Sequence, residues 1–339
     1  MGKGEKCMRL IALVLAALFL YSPSAVATVI GVEIYRSDDT FMTVMRGAME
    51  ESADGRATLK VSDGKDDQTV QNDWLCHHLA EGVDVLAINP VDPAAASILL
   101  EKAQATDTPV VFFNREPDAA DMPESGWYYV GAPAEQSGII SGELMADYFK
   151  KHPEADLDGD GIIQYVLFEG QAGHQDAALR SEYCVKAFQN AGFKLDLIAS
   201  ERANWQRGEA KEVMSEWLAS YDDIEAVFAN NDDMALGAID ALKAAGYFVG
   251  GRYMPVVGVD ATEDALVAIR QGVLLGTVRN DAVSQAQAVV NLALVLARGE
   301  TPTEENVGYP ITDGRYIWIP YSKVTLKVAA TGYPVWDRE

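Results

Sequence analysis

The sequence predicts an α/β fold made of two doubly wound parallel-sheet lobes. Short β-branched runs alternate with helical periods, and the alternation restarts after Gly131. The strand-like runs end in Asp, Asn and other polar residues, at the place where open parallel sheets hold their ligands. A length of 339 residues suits two domains of ordinary size.

The run 28–35 reads as a buried strand. Phe41, Val44, Met45, Ala48 and Met49 then carry a helical period across 41–53. A strand over 57–62, a helix over 69–80 and a strand over 83–89 follow. Asp92 is placed to cap, and Pro93 to open, a helix reaching about Thr106, with a strand at 109–113 beyond it. The second half expects a helix at 136–150, a strand at 161–168, a helix at 176–191 and a strand at 193–199. A helix at 208–219, a strand at 226–230, a helix at 233–245 and a strand at 255–259 come next. The series closes with a helix at 264–271, a strand at 275–279 and a long helix at 282–297. Such an order requires parallel sheets covered by helices on both faces.

Hydrophobic residues make up 49% of the chain and charged residues 23%, enough for a full core. With 27 Lys and Arg against 51 Asp and Glu, the net charge is −24. That field repels phosphate backbones and anionic lipid heads, which argues against nucleic acid or a membrane surface as partner. Residues 1–27 read as a signal peptide. Lys3, Lys6 and Arg9 form its basic region, an apolar stretch runs from Leu10 to Tyr21, and Ala25-Val26-Ala27 supplies a cleavage site after Ala27. Translation from Met8 would leave a shorter basic region of the same kind. No small-residue lipid-attachment motif precedes Cys7. The mature chain is therefore expected to be exported and soluble, and it reads as a monomer. Cys76 and Cys184 fall in helical patterns of different halves and read as buried free thiols rather than a disulfide.

The strand ends carry the chemistry. The first runs into Asp39 and Phe41, the third ends at Asn89 and the fourth at Asn114. In the second half, the loop 170–176 holds His174 and Asp176, with Arg180 a turn later. Other runs end at Asn231, Asp260 and Asn280, and Trp205 precedes a helix. Carboxylates and amides complement a ring of hydroxyls, and aromatic faces pack on the C–H faces of a sugar. The set contains no obvious nucleophile, so it reads as a polar small-molecule cleft, suited to a sugar. Any one Asp or Asn here is more often a helix N-cap, and a single Trp more often a packing residue. His77 and His78 have no ligand spacing beside them and read as packing or surface.

Residues 156–164, Asp-Leu-Asp-Gly-Asp-Gly-Ile-Ile-Gln, fit the first nine positions of a calcium loop. Asp156, Asp158 and Asp160 occupy positions one, three and five, Ile162 offers its carbonyl at seven and Gln164 its side chain at nine. Position twelve is Leu167 instead of Glu, so a further carboxylate must come from elsewhere in the fold. The competing reading is an acidic surface turn.

In this order, these residues resemble the periplasmic D-galactose/D-glucose-binding proteins of bacterial sugar transport. The most specific stretches are 35–41, 87–96, 110–117, 173–180, 229–232 and 258–260. The resemblance implies that Phe41 and Trp205 sandwich a pyranose ring. Asp39, Asn89, His174, Asp176 and Arg180, with Asn231, Asp260 and Asn280, would bond its oxygens. Asp39 would meet the 4-hydroxyl in either configuration, admitting glucose and galactose. The resemblance also implies a structural Ca2+ whose missing ligand is Glu225. Asp158 departs from the family, whose members carry Asn there. A three-crossover hinge is implied near Gly131, Asn280 and Pro320. One lobe would hold 28–131 and 281–319, the other 132–280 and 320–339. The implied partners are a monosaccharide, the membrane subunits of an ABC importer and, as in some relatives, a chemoreceptor.

Three other readings rank lower. The same fold could take a different monosaccharide. A transcriptional regulator with similar lobes would need a helix-turn-helix, which is missing, and would not carry a signal peptide. A glycosidase would need one carboxyl poised as an acid. Asp176 instead sits one helical turn from Arg180, an arrangement suited to binding.

Overall fold

The computed structural model describes residues 28–329; the signal peptide, the choice between Met1 and Met8, and the extreme C-terminus lie outside the described residues. The first sheet contains β1 (Thr28–Ile34), β2 (Ala57–Asp63), β3 (Val85–Ile88), β4 (Val110–Phe113), β5 (Trp127–Gly131) and β11 (Tyr316–Trp318). Its order is β11-β5-β4-β3-β1-β2, with every neighbouring pair parallel. The second sheet contains β6 (Ile162–Glu169), β7 (Lys194–Arg202), β8 (Ala226–Ala229) and β9 (Val256–Val257), in the order β7-β6-β8-β9. Parallel bridges Val257–Gly276 and Asp260–Arg279 attach β10 (Thr277–Arg279), and β12 (Ser322–Val324) lies antiparallel on β10. The chain thus passes from one sheet to the other after β5, after β10 and between β11 and β12.

Strands β3, β4 and β8 are buried on both faces and apolar throughout rather than alternating, whereas the edge strands β2 and β7 carry polar, exposed residues. Helices α1 (Thr40–Ala53) and α9 (Ala282–Ala297) cover one face of the first sheet, packing Met45 and Val289 around Val32. Helices α2 (Gln68–Glu81) and α3 (Ala96–Gln104) cover the other, where Leu75 and Leu99 meet Phe112 and Trp127. In the second lobe α6 (Arg207–Ser220), α7 (Asp232–Ala244) and α8 (Glu263–Arg270) bury Met214, Met234 and Ile269 beside Val227. The opposite face carries α4 (Ala134–Lys151) and α5 (Gln175–Asn190), with Met145, Phe188 and Phe228. Helices α4 and α5 cross closely because Gly142 lacks a side chain. A Cβ there would stand 2.3 Å from the Cys184 carbonyl oxygen. That contact fixes α5, the helix carrying Asp176 and Arg180.

The structure departs from the sequence expectation at several points, among them strands β11 and β12, for which the sequence reading gave no strand. Strand β5 was not signalled, because residues 114–126 connect it to β4 with one short 3-10 turn, Ala119–Asp121, and no helix; strand–helix alternation is no guide there. Pro93 opens a 3-10 turn, Pro93–Ala95, capped by the Asp92 carboxylate accepting the Ala94 N–H at 3.0 Å, and α3 begins only at Ala96. The expected strand at 255–259 shortens to Val256–Val257. Cys76 is exposed rather than buried; Cys184 is buried, and both are free thiols.

Glu33 is the last residue but one of β1, with neither carboxyl oxygen hydrogen-bonded, although the residue is fully buried. Burial raises its pKa to about 8, against a smaller opposing pull from Lys102. A folded pKa above the unfolded one contributes stability that is complete below pH 4.5 and lost as pH rises through about 8. Glu33→Gln is therefore expected to raise the melting temperature at pH 7 to 9 by an amount corresponding to about 3–5 kcal/mol. At pH 4 the substitution should be nearly neutral. Thermal melting of both proteins across that range tests it; an equal shift at every pH would exclude titration of Glu33 as the cause.

Candidate functional site

The carboxyl ends of the two parallel sheets face one another, and a small cavity lies between them. Nine of the ten sequence-predicted residues line it: Asp39, Phe41, His174, Asp176, Arg180, Trp205, Asn231, Asp260 and Asn280. Most are placed by helix starts. Asp39 caps α1, its Oδ1 accepting the Met42 N–H at 2.8 Å, while Oδ2 accepts the Tyr35 hydroxyl proton at 2.7 Å. Asn231 caps α7 through Oδ1, accepting the Met234 N–H at 3.0 Å, and its amide donates to the Trp205 carbonyl at 3.3 Å. His174 caps α5, its Nδ1 accepting the Asp176 N–H at 3.2 Å.

That cap fixes the His174 tautomer. Burial, and the nearby Arg115 and Arg180 charges, push its pKa well below the usual value, so the ring is neutral. With Nδ1 accepting, the proton sits on Nε2, which becomes a donor. Arg180 is buried and held three ways. Its Nη1 donates to the Asn230 carbonyl at 2.8 Å, and Nη2 donates to Asp176 Oδ2 at 3.1 Å and to the Tyr321 hydroxyl at 2.9 Å. Burial raises the Asp176 pKa, opposed by Arg180 and Arg115; burial also raises that of Asp260 strongly, opposed by Arg180. Asn280 accepts from Gln285 Nε2 at 2.6 Å and donates to Asp260 at 3.4 Å.

The aromatic walls are fixed by backbone as much as by packing. Asn204 and Trp205 both adopt left-handed φ, 48° and 66°, an unfavourable turn for a bulky residue. Gly170 makes room for the indole, since a Cβ there would lie 2.0 Å from Trp205. The His174 ring meets the indole edge-on, with centroids 5.1 Å apart. Phe41 closes the cavity from the first lobe.

Asn89 is the exception among the expected residues. It is fully buried behind the cavity and does not line it. Its Oδ1 accepts the Tyr35 N–H at 3.1 Å, and its amide donates to the Phe113 carbonyl at 3.3 Å and to Asn114 Oδ1 at 3.1 Å. Asn89 thus ties three strand ends together. Asn114, one strand over, turns at φ 61° and reaches the cavity instead. Tyr35, Met42 and Arg115 also line it without having been singled out. The last strand residues carried a signal for Tyr35 and Asn114, both at strand ends; nothing in the sequence pointed to Met42 or Arg115.

In the acidic loop, carboxylate oxygens of Asp156, Asp158 and Glu225 lie within 4.8 Å of one another. Gly161, at φ 76°, turns the chain as the loop requires. Asp160 lies outside that trio; its Oδ1 accepts the Ile162 N–H at 2.7 Å. Glu225 is buried and reaches the loop from the start of β8, accepting the N–H groups of Leu157 and, at 3.1 Å, Gln164. With its amide nitrogen turned toward them, the Gln164 side chain donates to Glu225 Oε2 at 2.7 Å and to the Ile162 carbonyl at 2.9 Å. The residues present fit a hard cation.

Three acidic side chains, amides, two clamped guanidiniums and the aromatic walls of Phe41 and Trp205, contributed by both lobes, define a receptor that encloses a small polyhydroxyl ligand. The chain belongs to the periplasmic binding protein family: the family model described as a periplasmic binding protein domain matches residues 30–301. It is 41% identical over 297 residues to the D-galactose/methyl-galactoside binding periplasmic protein MglB of Haemophilus influenzae, covering 86% of this chain and 88% of that one. It is 33% identical to a putative rhizopine-binding protein of Rhizobium meliloti, covering 92% and 94%. Among solved structures, the solute binding protein of a Bacillus halodurans ABC transporter with bound myo-inositol superimposes with a TM-score of 0.76 at 30% identity, covering 92% of this chain and 99% of that one. The chain is thus a sugar-binding protein of an ABC transporter and not an enzyme. Among the described residues no helix is long and apolar enough to cross a membrane.

Because Gly170 leaves the space filled by the indole, Gly170→Ala should displace Trp205 and weaken ligand binding by at least about tenfold, or 1.4 kcal/mol. Titration of tryptophan fluorescence checks this; parental affinity in the variant would show that the indole position does not matter.

Proposed function

We propose that this protein is an exported periplasmic receptor for D-glucose and D-galactose that hands the sugar to the membrane subunits of an ABC importer. The observation that carries the reading is the composition of the cavity wall: acceptors Asp39, Asp176 and Asp260, donors Arg180 and His174 Nε2, and the rings of Phe41 and Trp205, all on one cavity. A hexopyranose offers hydroxyls to the first two sets and C–H faces to the third. Three acidic side chains against two arginines disfavour an acidic ligand. The relative named for D-galactose supports the hexose. The lobes would hinge about the three crossovers, exposing the cavity when open.

Calorimetry on the mature protein is expected to show binding of both sugars, with Trp205→Ala and Asp176→Ala each weakening it more than about tenfold. No heat with either sugar would reject the reading. Cyclitols are the natural comparison, since the similar solved structure holds myo-inositol and presents a ring of hydroxyls without a ring oxygen.

We further propose that the 156–164 loop, with Glu225, binds Ca2+ as a structural ion. Asp156, Asp158, Asp160, Gln164 and Glu225 would supply side-chain oxygens and Ile162 its carbonyl; the ion would neutralise their mutual repulsion. Ion binding to the native state alone raises stability with ion concentration. Calcium should therefore raise the melting temperature of the parent above that in chelator, and Glu225→Gln should abolish most of the difference. Identical melting of the parent in calcium and in chelator would dismiss the metal.

A further inference from the structure

We infer that Gln171 is a closure residue: it holds the two lobes together beside the cavity without touching the sugar, and so sets affinity for every ligand by the same factor. This rests on the sugar-receptor reading of the cavity above.

Gln171 belongs to the second lobe, in the loop after β6 that also carries His174. Its side chain is gripped from both ends by the first lobe. Oε1 accepts a hydrogen bond from Arg115 Nη2 at 2.6 Å, and Nε2 donates to Asp66 Oδ2 at 2.8 Å. A neutral amide can accept from a cation at one end and donate to a carboxylate at the other. Neither Gln171 nor Asp66 lines the sugar cavity.

The first-lobe half of the clasp is built before the lobes meet. The buried Arg115 guanidinium stands 3.6 Å over the Tyr35 ring and donates through Nη1 to the Val91 carbonyl at 2.7 Å. Lys65 and Asp66 are held at left-handed φ, 53° and 58°, and the Asp66 N–H donates to the Tyr35 carbonyl at 2.8 Å. Both grips are thus anchored on Tyr35, whose hydroxyl orients Asp39 in the cavity. On the other side of the cavity a second bond joins the lobes, Thr40 Oγ1 donating to Asp233 Oδ2 at 2.6 Å.

Bonds made only when the lobes meet favour the closed form whether or not a ligand is present. They shift the fraction of binding-competent protein, and apparent affinity changes by that fraction for all ligands alike. A residue in contact with the sugar would instead change affinity by amounts that depend on each ligand's hydroxyls.

The test compares the full mature protein with Gln171→Ala and Asp66→Ala, using D-glucose, D-galactose and myo-inositol as probes in calorimetry and stopped-flow tryptophan fluorescence. Gln171→Ala is expected to weaken binding of every probe that the parent binds by one common factor of about five to ten, appearing as faster release. Asp66→Ala, at an exposed position, should give a smaller loss in the same sense, and the double variant should be no weaker than Gln171→Ala. Unchanged affinity in Gln171→Ala, or a loss that differs between probes, would overturn the inference while leaving the receptor reading intact. A parent that binds none of the probes fails the receptor reading itself.

Discussion

The arrangement depends above all on how a buried guanidinium is satisfied. A charge removed from water is costly unless it is paired and hydrogen-bonded, and the two Nη atoms of Arg180 meet partners on three separate parts of the fold, while its Nε has none. Asp176 lies on its own helix, the Asn230 carbonyl ends β8, and Tyr321 belongs to the segment that has just crossed from the first sheet to the second. These bonds place a strand end, a helix start and a crossover around one point. The cavity is what remains between that point and the first lobe.

The helix starts explain how so many polar groups converge. In a parallel sheet each strand feeds a loop and then a helix whose first N–H groups lack intrahelical partners. Asp39, His174 and Asn231 each fill such a cap with one atom and keep another for the cavity. Capping and ligand binding are therefore compatible roles here, and the cap supplies the orientation. Glu33 shows the contrasting case, a carboxyl buried within a strand with no partner and a raised pKa.

The strand–helix order and the cavity's chemical character were legible in the sequence because both are local. β-branched runs and helical periods follow from side-chain spacing, and polar residues at strand ends are visible as such. Asn89 and Asn114 mark the boundary. Both follow strands of the same sheet and look alike in sequence; one stays in register and is consumed by the Tyr35 and Phe113 backbones, whereas the other turns left-handed into the cavity. Strand β5 was equally hidden, because its pairing with β4 passes through a connection without a helix.

By itself, the sequence determined the α/β class, the double alternation, the acidic loop and the kind of residue offered to a ligand, all of which follow from neighbours along the chain. The tertiary structure alone decided which of those residues meet. Glu225 joins a loop some sixty residues earlier because β8 pairs with β6. Arg115 reaches Gln171 because two sheets present their carboxyl ends to each other. Contacts of this sort depend on sheet order and lobe placement, and neither leaves a periodic trace in the sequence.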